Sequence, residues 1–230
     1  MNRRKALGHL GAVSAVASPL LGAETPAKRQ YYELRYYQLR NGVSKQALPS
    51  KPAGTGPIGV FNPVIGENSP YVLVLLPHAS FANAEHSPEL DFDYVRYEKT
   101  LLRAFTGMPE LKSPPPSKNG HIFELRTYES NNAATLQKKI EMFNGGEMGI
   151  FQRLGMNPVF FGEALVGSKL PHLTYMLAYE DLAARDRLWK EFGADPAWQK
   201  LRATPGLSDA DIVSNISNTI LRPAAISDIR

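Results

Sequence analysis

Between residues 121 and 223, apolar positions recur with two different periods, and each change of period marks a new element. Spacings of three, four and seven residues predict one helix over 136–154 and another over 182–192, which Asp181 caps and Gly193 ends. Alternating apolar and polar residues predict four strands. These strands cover residues 122–128, 157–167, 173–180 and 212–222. The order β-α-β-β-α-β is that of a ferredoxin-like unit.

The first half of the chain repeats these strands in a shorter form. Glu-Leu-Arg stands at residues 33–35 and again at 124–126. The connections that should hold helices are short and contain Pro49, Pro52 and Pro57, which prevent a long helix. The four repeated strands are expected at residues 32–37, 58–66, 71–77 and 99–104.

This repeat predicts the domain organisation. We expect a degenerate ferredoxin-like unit over 30–106 with reduced helices, a Pro-rich linker over 107–120, and a complete unit over 121–223. A sheet that lacks helices needs another partner for its apolar face. The predicted fold class is therefore α+β, with two tandem ferredoxin-like units whose sheets pack face to face as an α+β barrel within one chain.

Several segments of the second half also carry a family resemblance. They are ELRTY, GEMGIFQRLGMNPVFFGEALVG, LTYMLAYEDLAARDRLWKEFGADPAWQKL and NTILRP. In their order and spacing they resemble the NIPSNAP family over residues 123–223, and in part over 31–105. The resemblance implies the dimeric α+β barrel and a family without a defined reaction, whose eukaryotic members are linked to mitochondria, vesicle traffic and signalling. The shortened first unit departs from the single-domain members, so their partner roles are not carried over.

The amino terminus has the pattern of an export signal. Arg3, Arg4 and Lys5 precede an apolar stretch over 6–23 that contains no acid. The paired arginines are typical of the twin-arginine route. We expect a signal peptide over 1–23 and a periplasmic or secreted protein. An uncleaved membrane anchor is the alternative, and a mitochondrial presequence fits less well because its arginines would be spread along the segment.

Removing this segment changes the charge of the protein. The chain has 26 basic and 22 acidic residues, and subtracting the three basic residues of the signal leaves 23 against 22. A net charge of +1 gives no basic surface for nucleic acid, so no nucleic-acid partner is expected. The chain contains no cysteine. Disulfides, thiolate metal sites and a cysteine nucleophile are therefore excluded.

The repeated Glu-Leu-Arg strands supply the first candidate site residues. We expect the apolar face of each strand to lie under the helices and the polar face to line the barrel interior. A buried arginine beside a buried glutamate is either an ion pair that fixes the sheet register or part of a pocket that holds an anion and moves a proton. The residues concerned are Glu124, Arg126 and Tyr128 in the second unit and Glu33, Arg35 and Tyr37 in the first.

Other candidates follow from the neighbouring strands, on which Glu163, Tyr175 and Asn215 lie. The histidines outside the signal lack the spacing of a metal site, so no metal and no cofactor are predicted. A single axial histidine to a haem is left open, because related barrels carry haem. The chain also lacks a Gly-rich phosphate loop and a Gly-x-Ser-x-Gly elbow.

Two functions remain. The first is an exported binding module that takes a small amphipathic ligand or a protein partner in the barrel. The second is a cofactor-independent monooxygenase or isomerase of the α+β barrel superfamily. Contact with a membrane is expected only through an uncleaved signal, and a homo-oligomer is possible on either interpretation.

We predict that the mature chain starts near Glu24 and lies outside the cytoplasm. Changing Arg3 and Arg4 to lysine should block export, because the twin-arginine route requires the guanidinium pair. Cell fractionation with amino-terminal sequencing measures both outcomes. Normal export of the lysine variant would reject the route, and recovery of Met1 in the exported protein would reject cleavage.

Overall fold

We describe a computed structural model of the chain, which covers residues 28–42, 50–51 and 56–230. The predicted signal peptide, with its cleavage position, lies outside the described residues. The first half contains strands β1 (Tyr31–Gln38), β2 (Gly59–Ile65), β3 (Tyr71–His78) and β4 (Arg96–Ala104), and the short helix α1 (Phe81–Glu85).

The second half contains strands and helices in alternation. Its strands are β5 (Ile122–Glu129), β6 (Asn157–Val166), β7 (His172–Tyr179) and β8 (Asn215–Pro223). Its helices are α2 (Ala133–Met142), α3 (Met148–Arg153), α4 (Leu182–Ala194), α5 (Pro196–Arg202) and α6 (Asp209–Ile212), with a π-helical turn (Phe143–Glu147) joining α2 to α3. The last strand begins three residues later than predicted because α6 occupies its expected start.

Helix α4 begins where its capping residue Asp181 predicts. The Asp181 side chain accepts a hydrogen bond of 2.7 Å from the backbone N–H of Ala184, which supplies a partner that the first turn of α4 lacks. Asn132 caps α2 in the same way. The helix predicted over 136–154 is divided into α2 and α3 by the π-helical turn, which contains Gly145 and Gly146. Within the described part of 28–106, helical structure is confined to α1.

All eight strands close into one antiparallel barrel. The order around the barrel is β1-β3-β2-β8-β5-β7-β6-β4, and β4 returns to β1. Within each half the fourth strand lies beside the first, then come the third and the second. The two halves meet at the pairs β2–β8 and β4–β6.

The predicted barrel is confirmed, but the prediction of two separate sheets packed face to face is wrong. The edges of the two sheets are hydrogen-bonded to each other at both junctions. The physical reason is that an edge strand leaves a row of N–H and C=O groups unpaired, and closure removes every edge.

The two faces of the strands also point in the opposite directions to those predicted: the apolar face points into the barrel and the polar face points outward. Phe123 and Leu125 of β5 point into the barrel, where they pack with Leu34, Leu73 and Met176 from other strands. The polar row that alternates with them lies on the outer surface, under α4 and the π-helical turn. A closed eight-stranded barrel has a narrow interior that large apolar side chains fill, whereas the covering elements can supply partners to charges outside.

One end of the barrel is closed by two chain segments. Leu111 of the linker and Ile229 of the carboxyl terminus pack against the interior apolar cluster. The backbone N–H of Lys112 donates to the carbonyl of Val159 at 2.9 Å, and the N–H of Val60 donates to Ser227 Oγ at 3.0 Å. The linker and the carboxyl terminus therefore plug the end at which β2 and β6 begin.

Candidate functional site

The opposite end of the barrel is open and holds a cavity of about 350 Å³. We call this end the mouth. The loop over 66–70 joins β2 to β3 there, and the loop over 167–171 joins β6 to β7. Leu34 and Leu125 form the apolar floor of the cavity.

Above this floor the inward-facing positions change from apolar to polar on strand after strand. On β5 the sequence of inward positions is Phe123, Leu125 and then Thr127. On β8 it runs from Leu221 to Thr219 and Ser217 as the strand approaches the mouth. We call the resulting ring the polar layer. Its members are Tyr36, Tyr71, Glu98, Thr100, Thr127, His172, Thr174, Ser217 and Thr219.

The polar layer is partly bonded within itself. The hydroxyls of Thr127 and Thr174 lie 3.0 Å apart across the β5–β7 pair. The rings of Tyr36 and Tyr71 are tilted, with centroids 5.5 Å apart. Burial, with the nearby Tyr71 and Glu98 adding to it, raises the pKa of Tyr36 well above its usual range. Tyr36 therefore presents a neutral hydroxyl at neutral pH, which can both donate and accept a hydrogen bond.

His172 is the histidine of the polar layer, and burial favours its uncharged form. Only 4 % of the residue is exposed, and burial lowers the pKa of its imidazole below the ordinary value of 6.5. The Lys169 carbonyl, 3.3 Å from Nδ1, opposes this shift in part. The ring is therefore uncharged at neutral pH and offers one donor and one acceptor.

The predicted residues Glu124, Arg126, Tyr128 and Tyr175 come together, but away from the cavity. Glu124 Oε1 accepts hydrogen bonds from Arg126 at 2.9 Å and from Arg185 of α4 at 2.6 Å. Its other oxygen accepts one from Trp189 Nε1 at 2.7 Å. Burial opposes ionisation of this carboxyl, but the Arg185 hydrogen bond, the Arg126 charge and the Trp189 hydrogen bond outweigh it and lower the pKa of Glu124.

The Arg126 guanidinium contacts partners on several sides. It donates to the Tyr128 hydroxyl at 3.0 Å, and its guanidinium lies 4.4 Å from the Trp189 ring centre. Tyr175, which is fully buried, donates to the same Tyr128 hydroxyl at 3.0 Å. These groups link β5 and β7 to α4 through a chain of buried hydrogen bonds.

Glu33, Arg35 and Tyr37 repeat the same geometry in the first half. Arg35 Nε donates to Glu33 at 2.7 Å and its Nη1 to the Tyr37 hydroxyl at 3.1 Å. Burial opposes ionisation of Glu33, but hydrogen bonds from His78, Arg35 and Lys99 hold its pKa well below the usual range. Arg35 also donates to Ser87 and to the Pro88 carbonyl, each at 2.7 Å. A coil after α1 thus takes the place of the missing helix.

The two remaining predicted residues lie apart from these rows. Glu163 of β6 accepts from Arg103 and from Gln137 of α2, both at 2.8 Å, on the outside of the barrel. Asn215 is exposed at the mouth, where it donates to Glu129 at 2.8 Å and borders the cavity. Of the nine predicted site residues, Asn215 is the one that borders the cavity.

Sequence reasoning missed the polar layer, although a signal for it was present. Aligning the two repeats pairs Thr100 with Thr219 and places both one inward position above a leucine, Leu102 or Leu221. Polar residues that replace apolar ones at the same level of several strands are the pattern of a barrel mouth.

A second buried charge cluster lies under the π-helical turn. Lys139 Nζ lies 3.2 Å from both Glu147 and Asp209. Burial raises the pKa of Glu147 to about 7, although the Lys139 charge opposes the shift. Lys139 also lies within 5.5 Å of the ring centres of Tyr128, Phe143 and Trp198. This cluster ties α6 to α2 and does not reach the cavity.

Comparison with known proteins finds a family match for the second half. The NIPSNAP family model matches residues 123–228. These residues are similar to the NIPSNAP family. No curated protein matches the chain.

Solved structures of the same family match this half over most of their length. A NIPSNAP-like domain protein from Burkholderia xenovorans is 21% identical over 47% of this chain and 90% of its own, with a TM-score of 0.42. A NIPSNAP family protein from Agrobacterium tumefaciens is 20% identical over 52% of this chain and 100% of its own, with a TM-score of 0.43.

Other structures match both halves together. A candidate monooxygenase from Lactobacillus acidophilus is 8% identical over 85% of this chain and 94% of its own, with a TM-score of 0.55. An anthrone oxidase-like protein is 7% identical over 86% and 93%, with a TM-score of 0.51. At these identities the likeness shows the α+β barrel fold alone.

Within the described residues, no group of three or more histidine, aspartate or glutamate side chains is placed to hold a metal ion. No described helix has both the length and the apolar character needed to cross a membrane.

We predict that the outer row of Glu124, Arg126 and Tyr128, called the Glu124 row, stabilises the second half and is not required for binding in the mouth. Glu124→Gln should cost about 3–5 kcal/mol of unfolding free energy, since it removes the buried carboxylate that Arg126 and Arg185 share and leaves Arg126 without an ion-pair partner. Arg126→Met should cost less, about 2 kcal/mol, because Arg185 still neutralises Glu124. Urea denaturation measures both. Arg187→Met, in an exposed pair with Glu191, is the control and should cost under about 1 kcal/mol.

We predict that His172 makes stability fall in mild acid. The unfolded chain takes up a proton near the ordinary pKa of 6.5, whereas folded His172 does so only at lower pH. The unfolded state then binds more protons, so stability is full above pH 6.5 and declines as pH falls through the folded pKa. Between about pH 7.5 and about pH 5, the wild type should lose more unfolding free energy than His172→Gln. Equal losses would contradict the assignment.

Proposed function

We propose that this protein binds a small amphipathic ligand in the cavity at the barrel mouth. The observation that carries the proposal is the polar layer above the apolar floor of Leu34 and Leu125, at the open end of a barrel whose other end is plugged. A concave site of this kind, with an apolar base and several convergent hydroxyls, is the usual form of a small-molecule pocket.

The position of the cavity supports binding over a purely structural role. The buried Glu-Arg-Tyr rows are hydrogen-bonded to the covering elements, at Arg185 and Trp189 in the second half and at Ser87 and Pro88 in the first. The hydroxyls of the polar layer have fewer partners inside the protein, and they lie where water or a ligand reaches them. Groups that keep their hydrogen-bonding capacity in a concave site are the ones that can orient a ligand.

We propose further that the barrel arose as two tandem ferredoxin-like units, with boundaries near 30–106 and 121–223. The repeated strand order and the repeated Glu-Arg-Tyr rows support this. Gly66 and Gly167 occupy equivalent places in the two mouth loops, and a Cβ at either would lie 2.9 Å from the side chain of Thr219 or Thr100. Both glycines therefore let a loop close onto a threonine of the polar layer.

Export remains part of the proposal. The paired arginines and the apolar stretch of residues 1–23 support a periplasmic or secreted protein. We expect it to work without a metal or other cofactor, and without nucleic acid. A ligand held in the mouth would then be drawn from outside the cytoplasm.

The enzymatic alternative, a cofactor-independent monooxygenase or isomerase, has one observation in its favour. His172 is an uncharged imidazole in the cavity wall and could act as a base. On this alternative, a bound aromatic compound would be converted in air, and His172→Gln would stop conversion while leaving binding intact. Binding without conversion supports the binding module.

We predict that blocking the cavity abolishes binding. Ser217 is half-buried in the cavity wall, so Ser217→Phe should fill the mouth, whereas Ser217→Ala leaves the space open. Native mass spectrometry of the full chain, purified without detergent, should show a bound non-protein mass in the wild type and in Ser217→Ala. Added 1-anilinonaphthalene-8-sulfonate should bind both at least about tenfold more tightly than Ser217→Phe, a difference of about 1.4 kcal/mol. Equal binding by the two variants would reject the mouth as the site.

A further inference from the structure

The cavity becomes more polar from its floor to its opening. Leu34 and Leu125 form the apolar floor, and the polar layer lies above them. The outermost lining residues are polar, and they are Glu67, Asn68, Ser168, Lys169 and Asn215. A ligand therefore fits when its apolar end reaches the floor and its polar group stays nearer the opening.

His172 is a member of the polar layer whose hydrogen-bonding role is fixed. Its Nδ1 lies 3.3 Å from the backbone carbonyl of Lys169. A carbonyl oxygen only accepts hydrogen bonds, so Nδ1 carries the proton and is the donor. In the uncharged ring the other nitrogen, Nε2, then has a lone pair and no proton. Nε2 is therefore an acceptor only, whereas each hydroxyl of the polar layer can both donate and accept.

Nε2 lies open to the cavity without a protein partner. His172 shares the inward face of β7 with Thr174 and with Met176, which packs in the barrel interior. Nε2 makes no hydrogen bond within the part of the chain that the structure describes. It does not belong to the described side-chain atoms that are fully buried without a partner, so the cavity reaches it. An acceptor in this position needs a donor from a ligand or from water.

Among common ligand groups, a hydroxyl matches this acceptor and its surroundings. A carboxylate, an ether and a quaternary ammonium have no proton to give to Nε2. An ammonium group donates, but it brings three protons and no acceptor. A hydroxyl gives its proton to Nε2, and its oxygen can accept a hydrogen bond from a hydroxyl of the polar layer.

The spacing between His172 and the floor limits the size of the ligand. Met176 pairs with Leu125 at the floor, and His172 lies four residues away from Met176 along β7, toward the mouth. Four residues of strand span about 13 Å. One ring with a short alkyl chain is long enough to reach from the floor to a hydroxyl at His172. The cavity of about 350 Å³ is at the lower end of the range for small-molecule sites, which also favours a compact ligand.

We propose that the ligand is a compact apolar compound with a hydroxyl group, an alcohol or a phenol, which donates a hydrogen bond to Nε2 of His172. Its apolar body lies against Leu34 and Leu125. This inference rests on the proposed function, because it uses the same cavity. It adds the class of ligand, its orientation and the residue that selects it.

The hydroxyl is tested with two pairs of probes, 4-butylphenol with 4-butylanisole and 4-butylcyclohexanol with its methyl ether, titrated calorimetrically into the full chain. In each pair the ether lacks the proton that Nε2 needs. The wild type should bind the hydroxyl compound at least about fivefold more tightly in one pair or both, and the pair that shows this assigns the source as a phenol or an alcohol. Equal affinities in both pairs, or no binding of either hydroxyl compound, would overturn the proposal.

The role of His172 is tested with two substitutions and a control. His172→Leu removes the acceptor, so its preference for hydroxyl over ether should fall to within about twofold. His172→Gln places an amide oxygen near the position of Nε2 and should keep a preference. His121, a buried histidine just before β5 at the plugged end, gives the control, and His121→Leu should discriminate as the wild type does. A full preference in His172→Leu would show that another group accepts the hydroxyl proton.

NMR of the imidazole nitrogens separates this role from a purely structural one. The free protein should show His172 with its proton on Nδ1. The tighter-binding hydroxyl compound should lower the pKa of His172 further, because it binds the uncharged ring, whereas its ether should not. Glu129 on β5 favours the charged ring and the Lys169 charge in the mouth loop opposes it, in both comparisons alike. A proton on Nε2, or a pKa that the hydroxyl compound leaves unchanged, would overturn the assignment.

The results also separate this inference from the proposed function. If Ser217→Phe abolishes binding of the hydroxyl compounds but His172→Leu keeps the full preference, the ligand binds in the mouth through another group, and only this inference fails. If Ser217→Phe binds the probes as the wild type does, the mouth is not the site and the proposed function fails with it.

Discussion

Closure of the sheet is the constraint on which the rest of the structure depends. Once β2 pairs with β8 and β4 pairs with β6, no strand has an unpaired edge, and every strand has an inside and an outside face. The inside is narrow and is filled by apolar residues such as Leu34 and Leu125. The charged residues that alternate with them are therefore outside, and each half must cover them. The covering elements, the apolar core and the cavity all follow from this separation of inside and outside faces.

The need to cover these charged residues explains why the Glu-Leu-Arg strand occurs in both halves. In each half one buried glutamate lies beside an arginine two residues on, and a tyrosine hydroxyl bonds the arginine. Glu124 ties this row to α4 through Arg185, whereas Arg35 ties its own row to the coil at Ser87. A buried carboxylate is tolerated only when several donors surround it. The two rows thus hold different covering elements on a common barrel, and in the described part of the first half these are α1 and a coil.

Much of the fold could be predicted from the sequence, because alternation and repeat length are local signals. The strands, the cap at Asp181 and the barrel all follow from them. Alternation alone identifies two faces of a strand but not which one points inward, and this is why the Glu124 row was expected inside. The facing depends on closure, which brings together strands that are distant in sequence. The candidate site was predicted in the wrong place for the same reason. The polar layer forms only in the closed barrel, where residues such as Thr100 and Thr219 come to lie at the same height along the barrel axis.

The repeat also explains how a nearly symmetric scaffold can make an asymmetric site. Equivalent positions in the two halves share backbone geometry, and both Asn68 and Lys169 in the mouth loops have positive φ values, 57° and 59°. Their side chains nevertheless differ, as do those of Tyr36 and Thr127 or of Tyr71 and His172. Each half supplies one side of the cavity wall with its own hydrogen-bonding groups and charges. A cavity wall made in this way presents different groups on its two sides, whereas two identical halves would present the same groups on both.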